Sequence, residues 1–154
     1  MIKNNYLEII KTLKSIFGDS TSLSIQAKMS LTASILGSSS ENWNFCGFYV
    51  ATAKHTLEIG PYCSSIIPCT HIKYGKGVCG TAAKARKTII VNNVNEYKNY
   101  ISCDPDTKSE IVIPLFEKKK LTAVLDIDSI RENDFEDVDR INLETICRLI
   151  SKKI

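Results

Sequence analysis

The sequence has no long uninterrupted hydrophobic run. Its first 17 residues, MIKNNYLEIIKTLKSIF, are divided by four charged side chains, and no Asn-x-Ser/Thr glycosylation site occurs in the chain. A secretory signal needs an apolar core of about 7–15 residues, and a membrane-spanning helix needs about 20. The sequence therefore predicts neither, and we expect a cytoplasmic protein that does not bind membranes.

A large excess of one charge is also absent, and glycine and proline are scarce. The chain has 20 Lys and Arg against 17 Asp and Glu, a net charge of +3, with 7 Gly and 4 Pro among 154 residues. Nucleic-acid binders concentrate basic residues on one face, and disordered or collagen-like chains are rich in glycine and proline. We expect a globular protein that does not bind nucleic acid, folded as a single domain over residues 1–154.

Cysteine pairs with metal-binding spacing are missing as well. No Cys-x-x-Cys occurs and only two histidines are present, so we predict no metal site. In a reducing compartment the six cysteines are better explained as thiols or catalysts than as a disulfide framework. They are Cys46, Cys63, Cys69, Cys79, Cys103 and Cys147.

Sequence context divides these cysteines into two groups. Cys46 lies in an apolar strand and Cys147 on a helix, where a buried small apolar side chain is expected. The other four fall in or beside predicted loops, and the polar, turn-rich neighbours of Cys103 predict exposure. Several loop thiols in a reducing compartment indicate a redox cycle.

Hydrophobic periodicity predicts helices at both ends of the chain. An N-terminal part, residues 1–40, is expected to hold helices over 5–17 and 22–36, and a closing helix is expected over Asp134–Ile154. The residues predicted to be buried in the first helix are Tyr6, Ile9, Ile10, Leu13, Ile16 and Phe17. In the second helix they are Leu23, Ala27, Leu31 and Ile35, and in the closing helix they are Phe135, Val138, Ile141, Ile146, Leu149 and Ile150.

Within residues 41–154, the part that precedes the closing helix predicts an antiparallel sheet with one short helix, Thr81–Arg86. The predicted fold class is therefore α+β. A hairpin turns at Lys54-His55 and ends at Gly60-Pro61. The predicted strands are 44–53, 56–59, 71–74, 88–91, 109–116 and 121–129.

The segment Gly75-Lys76-Gly77-Val78-Cys79-Gly80 matches the dinucleotide-binding pattern G-x-G-x-x-G. However, the helix predicted after it is barely two turns long, and the next strand begins too soon for a parallel crossover. We favour the alternative that the three glycines permit a tight turn and the close packing of a short helix, which can line a ligand pocket.

Two carboxylates, Asp126 and Asp128, alternate onto one face of a predicted strand. A three-residue loop between this strand and the one before it would place Glu110 opposite Asp126. A two-residue loop would do so only if a bulge, expected near Pro114, shifts the register. Crowded carboxyl groups raise one another's pKa, which leaves a proton to donate near neutral pH. The alternative is a solvated strand end.

These features resemble the free methionine-R-sulfoxide reductases, which are single GAF domains. The resemblance covers roughly residues 44–150 and rests on the following segments: Gly47-Phe48-Tyr49, Gly60-Pro61-Tyr62, Gly75 to Ala83, Cys103-Asp104, Ser109-Glu110-Ile111-Val112 and Leu125-Asp126-Ile127-Asp128-Ser129. The glycine run is common to GAF domains. The cysteine positions together with Ser-Glu-Ile-Val and Asp-Ile-Asp-Ser are more specific.

The resemblance implies a role for each candidate site residue. Cys103 matches the family's nucleophile, Cys69 its resolving cysteine and Cys79 an auxiliary thiol. The substrate pocket would be formed by Phe45, Tyr49, Glu110, Asp126 and Asp128. The implied reaction is the reduction of free L-methionine-(R)-sulfoxide through a cysteine sulfenic acid and an intramolecular disulfide, which thioredoxin recycles without any bound cofactor. A homodimer is left open.

Two departures from the family pattern concern the pocket and its thiols. The family usually has tryptophan where Phe45 stands, and Trp43 is displaced by two positions, so Phe45 is expected to form the aromatic wall for the substrate methyl group. The family tends to have glutamine where Cys63 stands, which leaves a thiol that could compete with Cys69.

Two other functions fit part of the pattern. In a non-catalytic GAF domain that binds a nucleotide or small effector, the cysteines would be incidental; such sensor domains normally adjoin an output domain. A thiol redox sensor would use the cysteines but would not need Asp126 or Asp128. An Asp126→Asn variant with unchanged disulfide switching, from a parent that turns over no sulfoxide, would favour the sensor.

Overall fold

A computed structural model describes residues 5–18 and 23–151 of the chain. This part contains the helices α1 (Tyr6–Gly18), α2 (Ile25–Gly37), α3 (Gly77–Ala85) and α4 (Asp137–Ser151), and a 3-10 turn at Val94–Glu96. The strands are β1 (Trp43–Thr52), β2 (Thr56–Ser64), β3 (His71–Lys73), β4 (Ile89–Val91), β5 (Ser109–Glu117) and β6 (Lys120–Ser129). No helix within these ranges has the length and apolar character that a membrane crossing requires.

The six strands form one antiparallel sheet in the order β3-β2-β1-β6-β5-β4. Apolar side chains alternate between its two faces, as expected when both faces are covered. One face packs against α1, α2 and α4 through residues such as Leu13, Leu36, Phe48, Ile127 and Ile146. The other packs against α3 and neighbouring loops through residues such as Tyr49, Leu57, Val78, Ala82 and Val112. The predicted α+β class and all six predicted strands are confirmed.

The buried faces of α2 and α4 differ from the predicted stripes. In α2 the buried residues are Lys28, Met29, Thr32, Ala33 and Leu36, whereas Leu31 is exposed. Apolar residues occupy both sides of this helix, so periodicity alone selected the wrong one. In α4, Ile146 and Ile150 are buried as predicted, but Val138 and Ile141 are about half exposed, and Asp139, Leu143 and Cys147 complete the buried face. The last three predicted residues of this helix lie outside the described ranges.

The prediction that Gly60-Pro61 ends the hairpin is wrong, because β2 continues to Ser64. Pairing between β2 and β3 stops at Glu58, so the outer side of Pro61 has no partner strand in the sheet. Proline is tolerated in such an edge segment because no ladder hydrogen bond needs its missing N–H. After a register shift between Gly47 and Tyr49 of β1, the pairing of β1 with β2 continues to the end of β2.

Candidate active site

A small cavity lies on the α3 side of the sheet, beneath the loops that carry Cys69 and Cys103. Its accessible volume is about 30 Å³, enough for one or two waters. Of the eight candidate site residues from the sequence, seven line it: Phe45, Tyr49, Cys79, Cys103, Glu110, Asp126 and Asp128. The eighth, Cys69, is bonded to Cys103.

The Cys69–Cys103 disulfide closes this cavity by joining two loops. The Cα atoms of the two residues are 5.8 Å apart, within the usual range for a disulfide, and both residues are half-buried. Cys69 precedes β3 and Cys103 precedes β5. The half-buried Cys103 is less exposed than its polar sequence context predicts.

A chain of hydrogen bonds fixes the Cys103 loop to the sheet. The Asn44 side-chain nitrogen donates to a carboxylate oxygen of Asp104 and to the hydroxyl of Thr107, both at 2.9 Å. Thr107 in turn donates to Oδ2 of Asp128 at 3.4 Å. The second oxygen of Asp104 accepts the backbone N–H of Asp106 at 2.9 Å. The roles of Asn44 and Thr107 were missed from the sequence, because single polar residues give no periodic signal.

The three carboxyl groups come together through an irregular hairpin. Lys118 and Lys119 form a two-residue loop with positive φ angles, and the register shifts between Leu115 and Phe116. This shift lies beside Pro114, where a bulge was expected. It places Glu110 opposite Asp128 and not opposite Asp126, which corrects the predicted partner.

All three carboxyls are buried, with exposed fractions of 5% for Glu110, 6% for Asp126 and 8% for Asp128. Burial therefore raises the pKa of each group, to about 6 for Asp126 and well above the ordinary range for Glu110 and Asp128. The charge of Asp126 raises the pKa of the other two further. The side chains of Glu110 and Asp126 also interact with each other, which raises the pKa of Glu110 and lowers that of Asp126.

Two buried oxygens in this group lack a hydrogen-bond donor within the described part of the chain. They are Oδ1 of Asp126 and Oδ1 of Asp128. A buried acceptor without a partner costs about 1–3 kcal/mol, and more when it is charged. These oxygens can accept hydrogen bonds from a water or a ligand in the cavity, and the burial of the three carboxyls excludes a solvated strand end.

Cys79, predicted to lie in or beside a loop, lies in the first turn of α3 and is buried. Its Sγ lies 3.9 Å from Oε1 of Glu110, and burial together with the charges of Asp126 and Glu110 raises the pKa of the thiol. The ligand atoms of Cys79, Glu110 and Asp126 lie within 4.8 Å of one another, so these residues could hold a metal ion. The raised pKa values mean that protons compete with a cation there.

The glycine run serves the packing of α3, as favoured from the sequence. The helix begins at Gly77, four residues earlier than predicted, and Gly77 has a φ of +60° that disfavours other residues. At Gly80 a Cβ atom would lie 2.2 Å from the carbonyl oxygen of Lys73, so a side chain is excluded. Every strand pair in the described sheet is antiparallel, so the parallel unit of a dinucleotide-binding fold is not formed.

Phe45 provides an aromatic wall of the cavity. Its ring stacks between those of Tyr49 and Tyr62, with centroid distances of 6.2 and 5.9 Å. Trp43 lies on the opposite face of the sheet and packs against Phe135 at 5.9 Å. The displaced tryptophan therefore does not reach the site.

The remaining cysteines lie away from the cavity lining. Cys46 and Cys147 are buried, as predicted, and the exposed Cys63 lies near the end of β2, beside the loop that follows. Two larger clefts, of about 620 and 930 Å³, also lie elsewhere on the surface. Neither is lined by a disulfide or by a buried carboxyl group, so chemistry and not size identifies the site.

The sequence and the fold of the chain are similar to those of known proteins. Residues 24–154 match the GAF domain family. The chain is 45% identical to the free methionine-R-sulfoxide reductase of Saccharomyces cerevisiae over 71% of its own length, and it spans 62% of the length of that relative.

Two solved structures are similar over nearly the whole chain. The Staphylococcus aureus fRMsr in complex with its substrate is 36% identical, with a TM-score of 0.87 covering 96% of this chain and 94% of the other. The Neisseria meningitidis free methionine-R-sulfoxide reductase in complex with its substrate is 30% identical, with a TM-score of 0.88 covering 95% and 86%. The chain therefore belongs to the GAF domain family and, within it, to the free methionine-R-sulfoxide reductases.

Proposed function

We propose that this protein reduces free L-methionine-(R)-sulfoxide to methionine, with Cys103 as the nucleophile. The observation that carries the proposal is a cystine above a pocket whose inner wall holds three buried carboxyls, two of them with oxygens that lack a donor. The names of the yeast and Neisseria relatives support the substrate and its R configuration.

The carboxyl oxygens suit a free amino acid. Its ammonium group carries three N–H donors, and Oδ1 of Asp126 and Oδ1 of Asp128 are buried acceptors without a donor in the described chain. A methionine sulfoxide within a peptide has an amide nitrogen with one N–H in place of the ammonium, so at least one of the two acceptors would stay unpaired, at a cost of about 1–3 kcal/mol. The Phe45 ring supplies an apolar surface for the methyl and thioether end.

The reaction begins from the reduced protein. The Cys103 thiolate attacks the sulfoxide sulfur while a protonated carboxyl, which the raised pKa indicates is Glu110, donates its proton to the sulfoxide oxygen. The oxygen then moves to the Cys103 sulfur as a hydroxyl while the bond between the two sulfurs breaks, so methionine leaves reduced and the cysteine is oxidised to a sulfenic acid. The Cys69 thiol then displaces the hydroxyl of the sulfenic acid, which releases water and forms the disulfide.

The size of the cavity sets the order of these events. With the disulfide in place the cavity has room for only one or two waters and is too small for an amino acid. The Cys69–Cys103 bond must therefore be reduced, and the two loops must separate, before a new substrate enters. Disulfide formation in turn follows the departure of methionine.

A thioredoxin-type dithiol is the proposed reductant, and the reaction needs no cofactor bound by the chain. The half-buried cystine is flanked by the apolar side chains of Ile67, which is 85% exposed, and Ile101, which is 39% exposed. This apolar rim offers a contact surface to a reductant whose thiolate must approach the disulfide. The proposed dithiol is available in a reducing compartment such as the cytoplasm.

A single-turnover experiment tests this mechanism. Reduced protein is mixed with the free R epimer without any reductant, and released methionine is measured per chain. We expect one methionine per chain together with the Cys69–Cys103 disulfide in the parent, and no methionine from Cys103→Ser. Cys69→Ser should stop at a sulfenic acid that dimedone traps.

Cys147→Ala is the matched control, because it removes a buried thiol that does not line the cavity. It should release as much methionine as the parent. Methionine release by Cys103→Ser at the parental rate would contradict the proposal. A reduced parent protein that releases no methionine would favour a ligand-binding GAF domain without catalytic activity.

A further inference from the structure

A second pair of cysteines lies on the other face of the sheet. Cys46 of β1 and Cys63 of β2 are direct partners in the antiparallel register. Side chains of such partners point to the same side, and their Cα atoms are about 4.5–5.5 Å apart. A disulfide requires about 4.4–6.8 Å between Cα atoms, so the backbone already meets this requirement.

The surroundings of Gly37, at the end of α2, show that the two side chains converge. A Cβ atom on Gly37 would lie 2.7 Å from Cβ and 2.8 Å from Sγ of Cys63, and 3.6 Å from Cβ of Cys46. The Sγ of Cys63 therefore points toward the region that Cys46 also borders. The missing side chain of Gly37 leaves the space in which both cysteines fit.

The strands also approach closely at the neighbouring pair. A Cβ atom on Gly47 would lie 2.4 Å from Cβ of Tyr62, its partner on β2. Beyond this pair the register shifts, and an irregular ladder lets a strand bend more easily than a regular one. The small approach that a sulfur–sulfur bond requires is therefore available.

The two thiols differ in access to solvent. Cys63 is exposed and Cys46 is fully buried. Burial, the charge of Asp126 and the neighbouring Cys63 and Cys147 raise the pKa of the Cys46 thiol, so it reacts slowly at neutral pH. A small disulfide in solution can therefore reach Cys63 first.

We propose that Cys46 and Cys63 form a second dithiol, which small-molecule disulfides such as glutathione disulfide oxidise to a cross-strand disulfide. The Cys63 thiolate attacks one sulfur of glutathione disulfide, so that a mixed disulfide forms and one glutathione leaves. Cys46 then gives its proton to solvent, attacks the Cys63 sulfur and displaces the second glutathione. The two protein thiols lose two protons and two electrons, and glutathione disulfide is reduced to two glutathione molecules.

Peptide mapping tests the proposal in a Cys69→Ser variant, where Cys63 is the sole cysteine of tryptic peptide 55–73. The reduced protein is incubated with glutathione disulfide, remaining thiols are alkylated in acid-quenched samples, and cross-linked peptides are identified by mass. We expect peptide 29–54, which contains Cys46, linked to peptide 55–73. Incubation at higher pH should increase the rate of linkage.

Two further variants separate this pair from its neighbours. Cys63→Ser in the same background, at an exposed position that does not threaten folding, should abolish the linkage, and Cys147→Ala should leave it in place. Glutathione that stays on Cys63 in the folded protein would overturn the proposal. So would linkage of Cys46 to peptide 141–148 or of Cys63 to peptide 99–108, because these carry Cys147 and Cys103.

Discussion

Replacing Asp126 by asparagine should stabilise the folded protein at neutral pH even though it damages the proposed site. The pKa of this buried carboxyl rises from 3.8 to about 6, mainly because burial penalises its charged form. Each pKa unit corresponds to about 1.36 kcal/mol, so the charged group lowers the free energy of unfolding by about 3 kcal/mol. For a chain of this length, removal of that penalty corresponds to a rise in Tm of roughly 6–12 °C.

The stabilisation should depend on pH in a defined direction. Below about pH 4 the Asp126 carboxyl is protonated in both the folded and the unfolded protein, and the charge penalty is absent. The penalty grows as the pH rises from about 4 to about 6 and then stays constant. The gain from Asp126→Asn should therefore be full above about pH 6 and vanish near pH 4.

Thermal unfolding of the disulfide-bonded proteins, followed by circular dichroism between about pH 4 and pH 8, measures this difference. Asp106→Asn, at an exposed position of the Cys103 loop, is the matched control and should change stability by no more than about 0.5 kcal/mol. The reasoning is refuted if Asp126→Asn is less stable than the parent at pH 7. It is equally refuted if the gain is the same at pH 4 and pH 7.

Substitutions at three other positions should separate the parts of the site. Glu110→Gln should remove most activity, because the raised pKa of Glu110 keeps this carboxyl protonated as the proton donor. It should also remove the fall of kcat/KM that deprotonation of Glu110 causes at alkaline pH, and a pH profile of turnover checks both effects. Phe45→Leu should raise KM more than it lowers kcat, whereas Phe45→Trp should keep the aromatic contact and stay near the parent in steady-state kinetics. Asn44→Ala removes two hydrogen bonds to the Cys103 loop and should lower the free energy of unfolding by about 1–3 kcal/mol, as denaturant titration would show.

The sequence was sufficient for the fold class and the strands because alternation and turn residues act locally. It was insufficient for the buried face of α2, since Leu31 and Leu36 lie on different sides of a helix that is apolar on both. The sequence also misplaced the end of β2. A strand tolerates Pro61 only where no partner strand lies beside it, and the absence of that partner is set by the tertiary fold.

The candidate site was predicted largely from motifs, and its details depended on irregular geometry. A one-residue shift beside Pro114 decides that Glu110 faces Asp128, and no local signal in the sequence fixes the position of such a shift. Asn44 and Thr107 could not be found from pattern, because their hydrogen bonds join segments that are distant in the chain. The pairing of Cys46 with Cys63 likewise appears only once the register of β1 and β2 is known.

The most direct test of the central claim is the steady-state turnover of the separate R and S epimers of free methionine sulfoxide, with thioredoxin and its reductase as electron source. The same assay includes N-acetylmethionine-(R)-sulfoxide, which lacks the ammonium group that Asp126 and Asp128 are proposed to bind. We expect turnover of the free R epimer, with little turnover of the S epimer or the acetylated substrate. Equal turnover of the acetylated and free substrates, or no turnover of the free R epimer, would contradict the account.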